Sequence, residues 1–362
     1  MKRLVKWLPA VVAPVVVVGT ALGAGAIMPA LASASGQQSS VTQASTPTPA
    51  EVLALIAKAK HAHYSGSITQ TSDLGLPQLP SGSMAGDESQ ASSMLELLTS
   101  SHTARVYVDG TDKQRVQVLD SMAERDLVRD GTSVWLWDSA KNHATHVTLP
   151  PTNRTHTMTQ SATPQDLADQ IVSRAEKDST LTVSSATSAG RHVWRLTVTP
   201  KTSGTLVGKA VLSVDAKTGV PLGAALDARG QSAPAISVKF TSIEFGTPAA
   251  SNFSFAPPKG ATVTEKALPS HASHPDSRMP GSVDSPTVIG SGWTSIVAVP
   301  AGTMHSGTSA STPSQTRLLN ELSQPVDGGR GLQTSLFSVL LTSDGRLYAG
   351  AVPLSALESA AK

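Results

Sequence analysis

The sequence predicts an α+β fold in which two helices lie across one curved antiparallel sheet, followed by a small C-terminal α+β unit. Residues 102–150 contain short runs in which apolar and polar side chains alternate, as around Val106 and Val108, and this period of two indicates β-strands. Asp-Gly pairs at residues 109–110 and 130–131 separate the runs, because glycine accepts the positive φ that hairpin turns need. We therefore expect a meander of about four antiparallel strands here.

Two amphipathic helices are predicted on either side of this meander. The first, over residues 51–61, begins with a capping box in which Thr48 and Glu51 exchange hydrogen bonds with the backbone. The second, over residues 164–177, begins at Thr163, which is followed by a proline at the first helical position. Apolar residues recur at helical spacing in both segments, so each helix should pack one face against the sheet.

The order of these segments predicts a domain at residues 49–266 and a smaller unit at residues 287–362, joined by a linker at 267–286. The linker is rich in Pro, Ser and His, which is typical of connections without a core of their own. Further strands of the domain are predicted at residues 64–70, 181–184, 192–200, 206–215, 221–227 and 236–245. The smaller unit is predicted to contain a strand at 293–299, a helix at 314–322, a hairpin of residues 332–341 and 346–352, and a last helix at 353–361.

The N-terminal residues 1–34 have the pattern of an export signal. Lys2, Arg3 and Lys6 precede a long apolar run that ends in small residues, as in a cleaved signal peptide. The run is also long enough to span a bilayer, which needs about 20 residues, so an uncleaved N-terminal membrane anchor is the alternative. A flexible spacer rich in Ser, Thr and Gln follows at residues 35–48. Both interpretations place the remaining chain outside the cytoplasm, either secreted or anchored to the cytoplasmic membrane.

Composition and motifs argue against several classes of function. A formal net charge of +2 and 4% aromatic residues do not supply the basic patches or stacking platforms of a nucleic-acid-binding protein. The absence of cysteine excludes disulfides, thiolate metal sites and a cysteine nucleophile. The sequence has no metalloprotease, hydrolase, P-loop or dinucleotide-binding motif. We therefore expect no enzyme activity and no cofactor.

Histidine pairs come nearest to a metal site. His61 and His63 lie two residues apart at the end of a helix, and His143 and His146 lie three apart near a strand. Neither spacing places both rings on one face of its element, and a metal site needs three or four converging ligands. We expect solvated polar positions and no bound metal.

Three short motifs of the domain form a specific combination. They are Tyr-x-Gly-x-Ile-x-Gln at residues 64–70, Leu-Val-Arg-Asp-Gly-Thr-Ser-Val-Trp at 127–135 and Phe-x-Phe-x-Pro-Pro-x-Gly at 253–260. Together they resemble the LolA/RseB-like superfamily, which contains periplasmic lipoprotein carriers and MucB-like regulators of the sigma-E response. The resemblance implies an open half-barrel with helices on its concave face, forming an apolar cup.

Two functions follow from this resemblance. The first is a non-enzymatic cell-envelope protein that carries or binds an acyl chain, a lipid or a lipoprotein in the cup. The second is an envelope-stress sensor that regulates a membrane anti-sigma partner. Carriers of this group have an arginine followed by proline at the turn after the strand that contains Val108, where this chain has Asp-Gly-Thr at 109–111. This departure leaves the choice between carrier and sensor open.

The predicted lining of the cup follows from alternation in the strands and helical spacing in the helices. Such a lining would hold an acyl chain by burial alone, which yields about 0.8 kcal/mol for each methylene. Trp135 and Trp137 share the other face of their strand, where core packing and ligand lining both stay open as interpretations. The predicted ligand-binding residues are Leu53, Ile56, Val116, Val118, Val134, Leu136, Leu167, Ile171, Trp194, Leu196 and Val198.

Overall fold

A computed structural model describes most of the chain after the N-terminal segment. The described residues are 46–76, 101–119, 123–149, 169, 171–173, 175–267, 286–301 and 322–362. The predicted export signal, the helix cap at Thr163, Leu167 and residues 314–321 of the predicted helix at 314–322 lie outside them. The helices that can be bounded within them are α1 (Pro49–Lys58) and α2 (Leu354–Ala361), with single 3-10 turns at Ala59–His61, Ala250–Phe253 and Gly292–Thr294.

Twelve strands of the described chain form one open sheet. Its order is β12-β6-β5-β4-β3-β2-β1-β11-β10-β9-β8-β7, and every pair of neighbours is antiparallel except β12 with β6. The strands are β1 (His63–Ser72), β2 (His102–Asp109), β3 (Lys113–Leu119), β4 (Glu124–Asp130), β5 (Ser133–Asp138), β6 (His143–Thr148), β7 (Ser179–Ser188), β8 (Arg191–Pro200), β9 (Val207–Asp215), β10 (Pro221–Ala228), β11 (Pro234–Phe245) and β12 (Thr262–Ala267).

This arrangement confirms the prediction of a curved, open and mainly antiparallel sheet, with two differences. The meander has five strands, β2 to β6, rather than about four, because a tight turn with Asn142 at positive φ returns the chain once more. The last strand, β12, is parallel to its neighbour, because the chain leaves β11 in the middle of the sheet and crosses to the far edge before it pairs with β6. That the helices occupy the concave face stays a prediction.

Helix α1 begins at the predicted capping box. The Thr48 side chain accepts a hydrogen bond from the Glu51 backbone nitrogen (3.3 Å), and the Glu51 carboxylate accepts one from the Thr48 nitrogen (2.7 Å). One face of the helix is apolar, and its Val52 is fully buried against Leu196 of β8 and Val214 of β9. We call the side of the sheet on which α1 packs the helix face.

Replacing Thr48 by alanine should destabilise the protein by about 1 kcal/mol, because the cap of α1 loses its acceptor. Chemical denaturation of the wild type and the variant measures this loss. Thr48→Ser, which keeps the hydroxyl group, is the matched control and should retain most of the stability. A serine variant as unstable as the alanine variant would show that the methyl group, rather than the cap, is responsible.

The second predicted helix is described only in part. Residues 169, 171–173 and 175 are helical, which agrees with the predicted range. Val172 packs against Ala50 and Ala54 of α1. This helical segment therefore lies beside α1.

The chain between β11 and β12, residues 246–261, crosses the opposite face of the sheet, and we call it the strap. Its Phe253 has only 3% of its surface exposed. The ring of Phe255 lies 5.4 Å from that of Trp135 and 6.0 Å from that of Trp137, both on β5. We call the covered side of the sheet the strap face.

The C-terminal residues form a second, six-stranded sheet with α2 packed on one side. Its order is β13-β14-β18-β17-β16-β15. Leu340 and Tyr348 of this sheet are buried beneath Leu354 and Leu357 of α2. The strands are β13 (Thr287–Ile289), β14 (Ile296–Val299), β15 (Gln324–Val326), β16 (Gly329–Gln333), β17 (Ser338–Thr342) and β18 (Leu347–Gly350).

Two predictions for this unit are corrected and one is confirmed. The run at 332–341 is divided between β16 and β17, because Thr334 forms a turn in which its hydroxyl accepts hydrogen bonds from the backbone nitrogens of Leu336 (3.2 Å) and Phe337 (3.0 Å). The run at 293–299 begins with a 3-10 turn and becomes a strand only at β14. The last helix is present as α2.

The smaller unit is docked on the large sheet. Leu336 is buried with Leu74, Val207 and Ile236 of the large sheet and its border. The carbonyl oxygen of Ala351 accepts hydrogen bonds from the Thr205 hydroxyl (2.7 Å) and from the backbone nitrogen that follows it (2.8 Å). These contacts agree with the expectation that the two units pack together, while the predicted domain boundaries stay predictions.

Candidate functional site

Nine of the eleven predicted site residues form two groups on the helix face. Leu53 and Ile56 of α1 meet Trp194 and Leu196 of β8 in one apolar cluster, and Val198 lies on the same face of β8. Leu196 is buried, so this group forms a closed core between helix and sheet. Leu167 lies outside the described residues.

The other group lies on the helix face of β3 and β5. Val116 and Val118 of β3 and Val134 and Leu136 of β5 occupy this face, and Leu127 of β4, which is paired with both Val116 and Leu136, lies between them. None of these side chains is fully buried, and Leu136 is 42% exposed. Sequence reasoning left out Leu127, because it is followed by the apolar Val128 and the local pattern of β4 does not show which of the two shares the face of Val116.

The two groups are not in contact as one cluster. Six strand spacings separate β3 from β8 in the order of the sheet, about 29 Å along its surface. The nearer strand, β2, contributes Val106, which is buried on this face. Ile171, on the helical segment beside α1, is 44% exposed and joins neither group. The partly open aliphatic surface is therefore the part on β3 to β5, which we call the aliphatic patch.

Polar side chains border the aliphatic patch at both ends. At one end, Val118 lies in a row with Arg125 and Asp138, which are directly paired across β4 and β5, and at the other end lies Gln114. Gln114 of β3 and Arg129 of β4 are directly paired across the strands, two residues before Val116 and two after Leu127. Gln114 is 5% exposed, and its side-chain oxygen has no hydrogen-bond partner. The Arg129 Nε donates to the carbonyl oxygen of Gly131 (3.0 Å). A buried, unpaired amide oxygen at the end of an apolar surface points to a polar group of a ligand.

The strap face carries a buried ion pair that the sequence did not reveal. Asp126 of β4 accepts a hydrogen bond from Arg115 of β3, and Glu124 accepts one from Gln117 (2.5 Å). Burial raises the pKa of Asp126 to about 6, although the positive charge of Arg115 acts to lower it. The other carboxylate oxygen of Asp126 has no partner. Because the cluster is on the strap face, we assign it to stability and not to the aliphatic patch.

The strap covers the two tryptophans of β5. Phe255 covers both Trp135 and Trp137, and the ring of His146 stacks on Trp135 at 4.3 Å. His146 also contacts the carboxylate of Glu265 on β12 (2.8 Å). These contacts favour core packing over ligand lining as the role of the two indoles.

An open depression of about 420 Å³ lies at the turns that end β7 and β9. Arg191 and Asp215, which line it, form a hydrogen-bonded ion pair. Burial alone would raise the pKa of Asp215, but hydrogen bonds from Arg191 and Thr218 hold it below its usual value. Arg191 and Asp215 are thus partners of one another, and we assign this pair to the stability of the turns.

The described residues contain neither a cluster of metal ligands nor a membrane-spanning helix. The described residues contain no group of three or more His, Asp or Glu side chains that could hold a metal ion. His143 and His146 face opposite sides of β6, since they pair with Asp138 and Trp135 respectively. Within the same ranges, no helix has the length and apolar character needed to cross a membrane.

Comparison with known proteins gave matches among solved structures alone. No family model and no curated protein matches the chain. The MucA/MucB complex of Pseudomonas aeruginosa is 17% identical, with 86% of this chain and 96% of that chain covered at a TM-score of 0.42. A LolA superfamily protein from Nitrosomonas europaea is 10% identical, with 59% and 99% covered at 0.23. A putative outer membrane lipoprotein-sorting protein domain from Vibrio parahaemolyticus is 12% identical, with 56% and 97% covered at 0.23.

Two of these structures, a MucB complex and a LolA superfamily protein, have the names of the group that the sequence motifs resemble. With every TM-score below 0.5, the likeness establishes no site, ligand or partner for this chain.

Proposed function

We propose that this protein is a non-enzymatic, extracytoplasmic binding protein that holds an acyl chain, as a lipid or as part of a lipoprotein, on the aliphatic patch. One observation carries the proposal. On β3, β4 and β5, neighbouring aliphatic side chains share one face of the sheet and stay partly accessible, whereas the same face at β8 is closed by α1. Contiguous apolar surface of this kind is typical of binding sites.

The energetics fit an alkyl ligand. Burial of about ten methylenes would yield about 8 kcal/mol at about 0.8 kcal/mol each. This is an upper limit, because immobilising the chain opposes binding, and it corresponds to micromolar affinity at best. No catalytic group is required for such binding, and Arg129, at one edge of the aliphatic patch, donates to a backbone carbonyl.

A matched pair of leucine substitutions tests the proposal. Leu136 and Leu119 are 42% and 40% exposed, but Leu136 lies on the helix face of β5 and Leu119 on the strap face of β3. Leu136→Asp should lower the affinity for a fluorescent fatty acid by at least about tenfold, because a carboxylate would replace apolar surface beneath the acyl chain. Leu119→Asp should leave the affinity unchanged.

Thermal melts of both variants show whether the fold survives the new charge. Equal affinities of Leu136→Asp and the wild type would show that the ligand binds outside the aliphatic patch. Absence of binding by the wild type would contradict the proposed function. The alternative, a sensor that regulates a membrane anti-sigma partner, stays a prediction because no contact described above distinguishes a surface for it. Secretion or anchoring through residues 1–34 likewise stays a prediction.

A further inference from the structure

The end of the aliphatic patch at Gln114 and Arg129 offers hydrogen-bonding groups as well as apolar surface. The strand register places Val108, Gln114, Arg129 and Val134 in one row on the helix face of β2 to β5. The next row contains Val116, Leu127 and Leu136, which carry only aliphatic groups. The row beyond it contains Val118 together with Arg125 and Asp138, so the aliphatic row is bordered by polar side chains on both sides. An acyl chain lying on the aliphatic row can therefore have its head group beside Gln114 and Arg129.

Gln114 has a hydrogen-bonding capacity that the protein does not use. Its side chain is 5% exposed, and the side-chain oxygen makes no hydrogen bond. In native proteins about nine in ten buried polar groups are paired, because an unpaired one loses its water without compensation. Arg129, the neighbour across the strands, is turned to the Gly131 carbonyl (3.0 Å) and lies 3.7 Å from Asp112, so it does not fill this gap.

The chemistry of the missing partner follows from the two side chains. The Gln114 oxygen needs a donor, and the guanidinium of Arg129 can donate to an acceptor beside it. A carboxylate would bring a second acceptor against the Gln114 oxygen, and an ester has no donor. An amide supplies both groups, and it pairs with the Gln114 amide in either orientation of that side chain.

Resting on the proposed function, we infer that the ligand is an acyl chain attached through an amide bond, and that Gln114 recognises this amide. A small N-acyl amine and a protein acylated at its N-terminus present the same bond. The row of Val116, Leu127 and Leu136 binds the acyl chain, and the row of Gln114 selects the linkage. The protein should therefore bind an acyl amide more tightly than an ester of equal length.

Two isosteric ligands test the inference. N-methyldodecanamide and methyl dodecanoate differ only in the N–H group, and both are uncharged. Each ligand competes with a fluorescent fatty acid for binding to the full-length protein. The wild type should bind the amide about tenfold more tightly, which corresponds to about 1.4 kcal/mol. In Gln114→Leu the ratio of the two affinities should fall to about one, and in the control Gln117→Leu, on the other face of β3, it should persist.

The outcomes separate the inference from the function on which it rests. Equal displacement by amide and ester in the wild type, or a preference that survives Gln114→Leu, overturns the inference and leaves the acyl-binding function standing. No displacement by either ligand overturns both. If Gln114→Leu does not fold, the wild-type ratio alone decides. An N-dodecanoyl tripeptide then distinguishes the sources: displacement at least as strong as by the methylamide supports an acylated protein, and weaker displacement supports a small N-acyl amine.

Discussion

Arg115→Leu is expected to destabilise the protein by about 3 kcal/mol at pH 8 and by much less at pH 4.5. Arg115 donates to Asp126, whose side chain is buried on the strap face and has a second oxygen without a partner. Removing the cation leaves a buried, uncompensated carboxylate, which is among the most costly single changes in a folded protein. At acidic pH the carboxyl group takes up a proton, so the cost falls.

The sign of this pH dependence can be checked in the wild type. The pKa of Asp126 is raised to about 6 in the folded state, so the folded state binds this proton more tightly than the unfolded state does. The resulting stabilisation is complete below about pH 4, the ordinary range of an aspartate, and is lost as the pH rises through about 6. Urea denaturation between pH 4 and 8 measures it, and Asp126→Asn should remove this part of the dependence.

A surface arginine provides the control for Arg115. Arg195 of β8 is exposed, so Arg195→Leu should change the stability by less than about 0.5 kcal/mol at either pH. If Arg115→Leu loses the same stability at pH 8 and at pH 4.5, the arginine acts through the packing of its alkyl stem and the ion pair contributes little.

Local patterns predicted the elements whose stability is local. The capping box at Thr48 and Glu51, the Asp-Gly turns of the meander and the last helix are all found where the sequence places them. Each depends on interactions within a few residues along the chain. The division at Thr334 was missed, because a threonine hydroxyl turn has a weaker sequence signal than glycine or proline.

Contacts between distant segments could not be predicted in this way. Asp126 lies between Arg125 and Leu127 on β4, and this local sequence does not show that its side chain is buried and paired with Arg115 of the neighbouring strand. The site has the same limit. Alternation placed Val116 and Leu196 on one face, but it could not show that α1 closes this face at Leu196 and leaves it partly open at Val116.

Gly219→Ala should destabilise the protein by about 4 kcal/mol, because the backbone of α1 packs directly against Gly219. It has φ of +76° in the turn between β9 and β10, and a Cβ there would overlap the carbonyl oxygen of Leu55 in α1. The left-handed conformation costs an alanine about 1–2 kcal/mol, and displacing a helix backbone adds about 1–3 kcal/mol.

Gly190 separates these two contributions. It has nearly the same φ, +72°, in the turn between β7 and β8, and no atom lies within 4 Å of an added Cβ. Gly190→Ala should therefore cost only about 1–2 kcal/mol, the price of the conformation alone. Urea denaturation of both variants gives the difference, which measures how firmly the turn holds α1. Equal losses of stability in the two variants would mean that α1 can shift away from the added methyl group at little cost. The contact between Gly219 and Leu55 would then contribute nothing to holding α1 against Leu196.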